Sequence, residues 1–93
     1  MTNNLCVAEQ RREEREPAAG EVWFVLEDRP GTEFEGFLLD SSRSGFRASH
    51  SRATLATGCR VRFRHPLGRG RAMVMWNRIL SRHVETGFLI LDK

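Results

Sequence analysis

The sequence predicts an all-β chain: a six-stranded antiparallel β-barrel with a flexible N-terminal arm and little helix. Three observations carry that expectation. From Glu21 onward, short runs of β-branched and aromatic residues recur at regular spacing. Clusters of Gly, Pro, Asp and Ser separate them, as hairpin turns require. One stretch, Cys59 to His65, alternates apolar and basic residues with the period of two that a half-buried strand imposes.

The elements follow in order. Residues 1–20 read as a polar arm. Glu9 to Glu16 holds good helix formers but no apolar stripe to pack, and Pro17 and Gly20 interrupt any helix. Residues 21–93 read as the barrel. Val22 to Leu26 is its first strand, closed by Asp28, Pro30 and Gly31. Phe34 to Leu39 is the second, ending in the turn residues Asp40 to Gly45, and Gly45 to Ser49 is a short third. Residues 50–57 are the one internal stretch able to hold a helical turn. In Cys59 to His65, Val61 and Phe63 face inward with Cys59, while Arg60, Arg62 and Arg64 face water. Pro66, Gly68 and Gly70 make the next turn. Arg71 to Ile79 is the longest strand, with Ala72, Val74 and Trp76 on one side and Met73 and Met75 on the other. Thr86 to Leu91 closes the sheet, and closure removes exposed strand edges.

Composition narrows the function classes. The chain has 93 residues, which is one domain. No apolar run approaches the length that spans a bilayer, and Met1 to Glu14 contains no signal-peptide core, so a cytoplasmic location is expected. Cys6 and Cys59 lack metal-ligand spacing and read as free thiols. His50, His65 and His83 are scattered, with no carboxylate or thiol cluster beside them, so neither a metal site nor an enzyme is expected. The net charge is +3, and 14 of the 15 basic residues are arginine. Arginine pairs with phosphates through two parallel hydrogen bonds and stacks on flat rings.

Two short motifs carry the chemistry. Arg11 and Arg15 are four residues apart, so one helical turn would project both to the same side, with Arg12 directed elsewhere. Two like charges there repel, and a polyanion between them relieves the repulsion. Further on, Asp40-x-Ser42-x-x-Gly45 lies between two strands. Asp40 can accept hydrogen bonds from backbone or from a ligand N–H edge, and Ser42 can donate or accept. Gly45 permits positive φ or a close backbone approach. A turn that caps itself is the competing reading.

In this order and spacing the motifs resemble the PilZ domain family, the bacterial receptor module for cyclic di-GMP. Gly70 to Trp76 is similar to that family's late strand ending in tryptophan, and Glu85 to Leu89 to its last strand. The resemblance runs from about Gln10 to Asp92. It implies a six-stranded barrel with the arginine arm laid across one side. Arg11 and Arg15 would clamp the ligand's phosphates and guanine faces, and Asp40 and Ser42 would read a guanine edge beside Gly45. Arg12 and Arg47 are possible additional contacts. Each buried charge-assisted contact contributes roughly 1.5–3 kcal/mol.

The expectation is therefore a cyclic di-GMP receptor without catalysis and without a cofactor. Its partners would be the messenger and a downstream protein not named by the sequence, with neither a membrane nor a nucleic acid involved. The alternatives are a PilZ-like interaction adaptor that binds no nucleotide, and a small nucleic-acid-binding barrel using Arg60, Arg62 and Arg64.

Overall fold

The computed structural model describes residues 16–29, 31–52 and 55–92, all strand, turn or loop. Seven strands form: β1 Glu16–Pro17, β2 Glu21–Leu26, β3 Glu33–Ser41, β4 Gly45–His50, β5 Arg60–His65, β6 Gly68–Ile79 and β7 Val84–Asp92. Every pairing is antiparallel. The hydrogen-bonded circuit runs β3-β2-β5-β6-β7-β4 and closes from β4 back onto β3, which makes a six-stranded barrel. The six expected strands are these six, β2 to β7.

The additional strand, β1, pairs Glu16 with Ser41 and Pro17 with Asp40. Arg47 and Phe46 of β4 occupy the other edge of those same β3 residues, so β1 lies on the β2 side and continues that strand toward the N-terminus. The Ala18 N–H donates to the Leu39 carbonyl at 3.2 Å, and the Leu38 N–H to the Gly20 carbonyl at 2.8 Å, bridging the interruption. Gly20 makes the interruption possible: its φ is +130°, and a Cβ there would run into the Pro66 ring.

Alternation places the core. Val22, Phe24 and Leu26 of β2 and Val61 and Phe63 of β5 point inward and are buried, while Arg60, Arg62 and Arg64 are exposed, as the period of two requires. At the barrel centre Phe88 stacks on Phe24 and on Phe46, with centroids 4.9 and 4.8 Å away, and Phe63 tilts against Phe46 at 4.8 Å. Burying four such rings supplies the apolar area that holds so small a barrel closed.

Three expectations change. Residues 50–57 contain no helix among those described; His50 ends β4, and the rest is loop and turn. The β5–β6 turn is only Pro66 and Leu67, because Gly68 and Gly70 already belong to β6 and pair with His65 and Phe63. Trp76 does not share the inner face with Ala72 and Val74. The β6–β7 register slips between Val74 and Trp76, which leaves Trp76 opposite Gly87 on the outside and 40% exposed. An inserted residue of this kind reverses the facing of everything after it.

Candidate functional site

The β3–β4 turn is built by its own polar residues. The Ser42 N–H donates to the Gly45 carbonyl at 2.8 Å, and the Ser42 hydroxyl donates to the same oxygen at 3.3 Å. The Ile90 N–H donates to the Ser44 carbonyl at 2.7 Å, tying the turn to β7. Ser42 thus closes the turn, the self-capping role. Gly45 is buried on β4 opposite Leu89, and its φ is not positive. Close approach is what it provides: a Cβ would collide with the Phe88 carbonyl oxygen.

Asp40 owes its direction to a second irregularity. The β3–β4 register shifts between Leu38 and Asp40, which sets Asp40 opposite Arg47 on the outer face. The Arg47 guanidinium meets the Asp40 carboxylate at 2.8 Å through Nη2 and Glu85 at 3.6 Å through Nη1, and Arg78 meets Glu85 at 3.2 Å. Both carboxylates are largely covered, with side-chain exposures of 13% and 14%. The Arg47 Nε is buried and has no hydrogen-bond partner. Desolvating the fork in this way strengthens its pairing and leaves one donor direction unmet.

Register assembles a row that the linear sequence does not announce. Trp76 faces Gly87, Gly87 faces Arg47, Arg47 faces Asp40, and Asp40 faces Pro17, across five strands. The indole rests directly on Gly87, where a Cβ would overlap its ring atoms. Sequence reasoning missed Trp76 as a member of this outer row, since only the slip at Met75 brings the tryptophan outside. At the end of the row a groove of about 390 Å³ is lined by Glu16, Pro17, Ser41, Ser42, Arg43 and Leu67. Asp40, Ser42, Gly45 and Arg47 thus come together, whereas Arg11, Arg12 and Arg15 lie outside the described residues.

A larger concavity of about 830 Å³ opens elsewhere on the barrel, with Trp23, Phe34, Phe37, His50, Arg52 and His83 in its lining. Beneath it, His50 is buried and its Nε2 lies 2.8 Å from the Thr86 hydroxyl. That hydroxyl donates to the Asn77 side-chain Oδ1 at 2.8 Å, and the Asn77 Nδ2 donates to the Leu55 backbone carbonyl at 2.7 Å. With the Thr86 proton committed, Nε2 must carry the imidazole proton. Burial, then the Arg52 and His83 charges, lower the His50 pKa, and the Arg52 carbonyl opposes them. Burial raises the Cys59 thiol, which keeps it protonated at neutral pH.

Among the described residues no group of His, Cys, Asp and Glu has the arrangement of a metal site. No helix among them is long and apolar enough to cross a membrane.

Closure order and strand count make this a barrel with the PilZ-like fold. A solved structure described as the PilZ domain with c-di-GMP of YcgR from Escherichia coli shares it, with a TM-score of 0.68 and 19% sequence identity. The match covers 89% of this chain and 79% of that one. No family model and no curated protein matches the chain.

Proposed function

We propose that this protein is a cyclic di-GMP receptor, with the messenger held between the Arg11–Arg15 segment and the Asp40–Ser42 turn. One observation carries the reading: Glu16, the residue covalently next to Arg15, is the cross-strand partner of Ser41. That pairing supports a clamp in which the segment ahead of Glu16 meets the turn that bears Asp40. The shared fold with a domain solved with c-di-GMP adds to it.

The chemistry is complementary at each point. The ligand carries two phosphates, and Arg11 and Arg15 supply two forks for bidentate pairing. A carboxylate has about four lone-pair directions, so Asp40 accepts a guanine's N–H edge while keeping Arg47. The Trp76 indole, in the same row as Asp40, offers a flat face to a purine. Binding holds residues 9–15, ahead of the already paired Glu16 and Pro17, against the barrel and changes the surface offered to a partner protein. Arg12 lies in the same segment and serves as a secondary phosphate contact. No step requires a cofactor or bond-breaking chemistry.

Isothermal titration with cyclic di-GMP, with linear pGpG and GTP as controls, tests the reading and gives the stoichiometry. The wild-type chain binds the cyclic ligand, and Arg15→Ala binds at least about tenfold more weakly. Hydrogen exchange in residues 9–15 slows on adding ligand. Binding of full strength by Arg15→Ala, or none by the wild type, defeats it; in the latter case the adaptor reading takes its place.

A further inference from the structure

The side of the barrel opposite the Asp40 turn carries a feature that the proposed receptor function does not use. β5 and β6 lie half a circuit away from β3 and β4. Their outer face presents Arg60, Arg62 and Arg64 from one strand and Arg69 and Arg71 from the next. The register sets Arg62 directly opposite Arg71 and Arg64 directly opposite Arg69. Like charges facing each other across a pair of strands destabilise a sheet. Among the described residues only Arg71 is compensated, by Asp92 at 2.9 Å and Glu27 at 3.4 Å. Arg60, Arg62, Arg64 and Arg69 form no ion pair among the described residues.

We infer that this face binds the backbone of a single-stranded nucleic acid, contrary to the expectation from the sequence that no nucleic acid takes part. The strands fix the guanidinium roots in a grid, about 6.6 Å apart along a strand and about 4.8 Å across. Trp23 stands opposite Arg64 on the same outer face and is 36% exposed, which places a stacking platform at the border of the arginines. Glu33 and Glu35 flank the far side of Trp23 on β3, so the anion's track follows β5 and β6 rather than crossing β2. A protein interface is a poorer fit: its core is depleted in charge, and here four guanidinium groups stand without a carboxylate partner among the described residues, Glu27 and Asp92 being taken by Arg71. Nucleic-acid interfaces are the positively charged and polar ones. The inference is independent of whether the Asp40 side binds cyclic di-GMP.

The test uses the full chain and a fluorescently labelled oligouridylate of about fifteen nucleotides, read by anisotropy between about 50 and 200 mM salt. Three to four arginine contacts give a log–log salt slope of about −2 to −3, at about 0.7 per phosphate on a single strand. In Arg62→Gln/Arg64→Gln/Arg69→Gln the affinity falls at least about tenfold and the slope shrinks to about −1 or less. Trp23→Ala weakens binding about fivefold or more with the slope unchanged, since stacking releases no counterions. Removing like charges does not threaten the fold, and the wild-type slope stands as a second measurement. Absence of binding at the lowest salt overturns the inference, as does a triple variant that binds like the wild type. Displacement by polyglutamate as effective as by unlabelled RNA overturns it too, by making the partner an acidic protein. Cyclic di-GMP titration of the triple variant matches the wild type, which separates this face from the other.

Discussion

Arg47 closes on Asp40 at 2.8 Å, so the carboxylate expected to read a guanine edge is already oriented by an ion pair before any ligand arrives. The same guanidinium reaches Glu85, and its Nε stays buried without a partner. Arg47 is therefore a positioning residue for Asp40 and a cation shared by two mostly covered carboxylates, of which Glu85 also keeps Arg78. Arg47→Ala leaves both without that charge, in front of a ligand that is itself dianionic. Cyclic di-GMP binding by Arg47→Ala weakens about fivefold or more, and stability drops by about 1–2 kcal/mol. Titration calorimetry and urea unfolding read the two effects. Tighter binding by the variant would instead make Arg47 a competitor of the ligand for Asp40.

Gly45 separates the two readings of the Asp-x-Ser-x-x-Gly turn. Its missing side chain makes room for the Phe88 carbonyl of the neighbouring strand, which is a packing role inside the sheet. Gly45→Ala forces β4 and β7 apart and costs about 1–3 kcal/mol, seen as a lower urea midpoint. Gly31→Ala is the control: nothing lies within 4 Å of a Cβ there, and its φ of +95° makes the cost purely conformational. A Gly45→Ala chain as stable as the wild type would return Gly45 to a role at the ligand alone.

The barrel was legible because hydrophobic alternation and turn chemistry act within a few residues of each other. Cys59 to His65 needed no tertiary information: Val61 and Phe63 go in and the arginines go out. Register irregularities were not legible. The slips at Leu38/Asp40 and Val74/Trp76 insert a residue without altering composition, and each re-aims a side chain of the candidate site. Trp76 therefore reads as inward from period two and stands outward in the fold. The Asp40–Arg47 pair was half legible, since Arg47 was expected on the same face but as a ligand contact. Cross-strand opposition of Arg62 with Arg71 and of Arg64 with Arg69 depends on the two-residue β5–β6 turn, which the glycines at 68 and 70 disguised as a longer one.

That opposition yields a stability prediction. Arg64 and Arg69 face each other without a compensating carboxylate among the described residues. Arg69→Glu replaces a repulsive cross-strand pair with an attractive one, contributing about 0.5–1 kcal/mol. For a domain of this size that raises the melting temperature by roughly 2–8 °C. Calorimetry at low salt shows the gain, and added salt erodes it because the pair is exposed. The same variant loses oligonucleotide affinity, so stability and binding move in opposite directions. A lower melting temperature for Arg69→Glu would mean that the arginines do not repel one another as the register implies.

His50 gives the fold a pH dependence whose sign follows from its burial. The folded ring has a pKa below the ordinary 6.5, because burial first, and then Arg52 and His83, disfavour the imidazolium. The unfolded ring takes up a proton as the pH falls through about 6.5, while the folded ring does not until lower pH. Over that interval the unfolded state binds more protons, so stability is full above pH 6.5 and declines as the pH falls toward the folded pKa. Urea midpoints measured from about pH 7.5 down to about pH 5.5 therefore fall for the wild type. His50→Gln removes the titration and the ring's contact with Phe34, whose centroid is 5.5 Å away. The variant starts less stable at neutral pH, by about 1–3 kcal/mol, but loses less on acidification. Subtracting the two curves isolates His50 from the other two histidines. Parallel curves would mean that the ring titrates alike in both states, against the burial that holds it neutral.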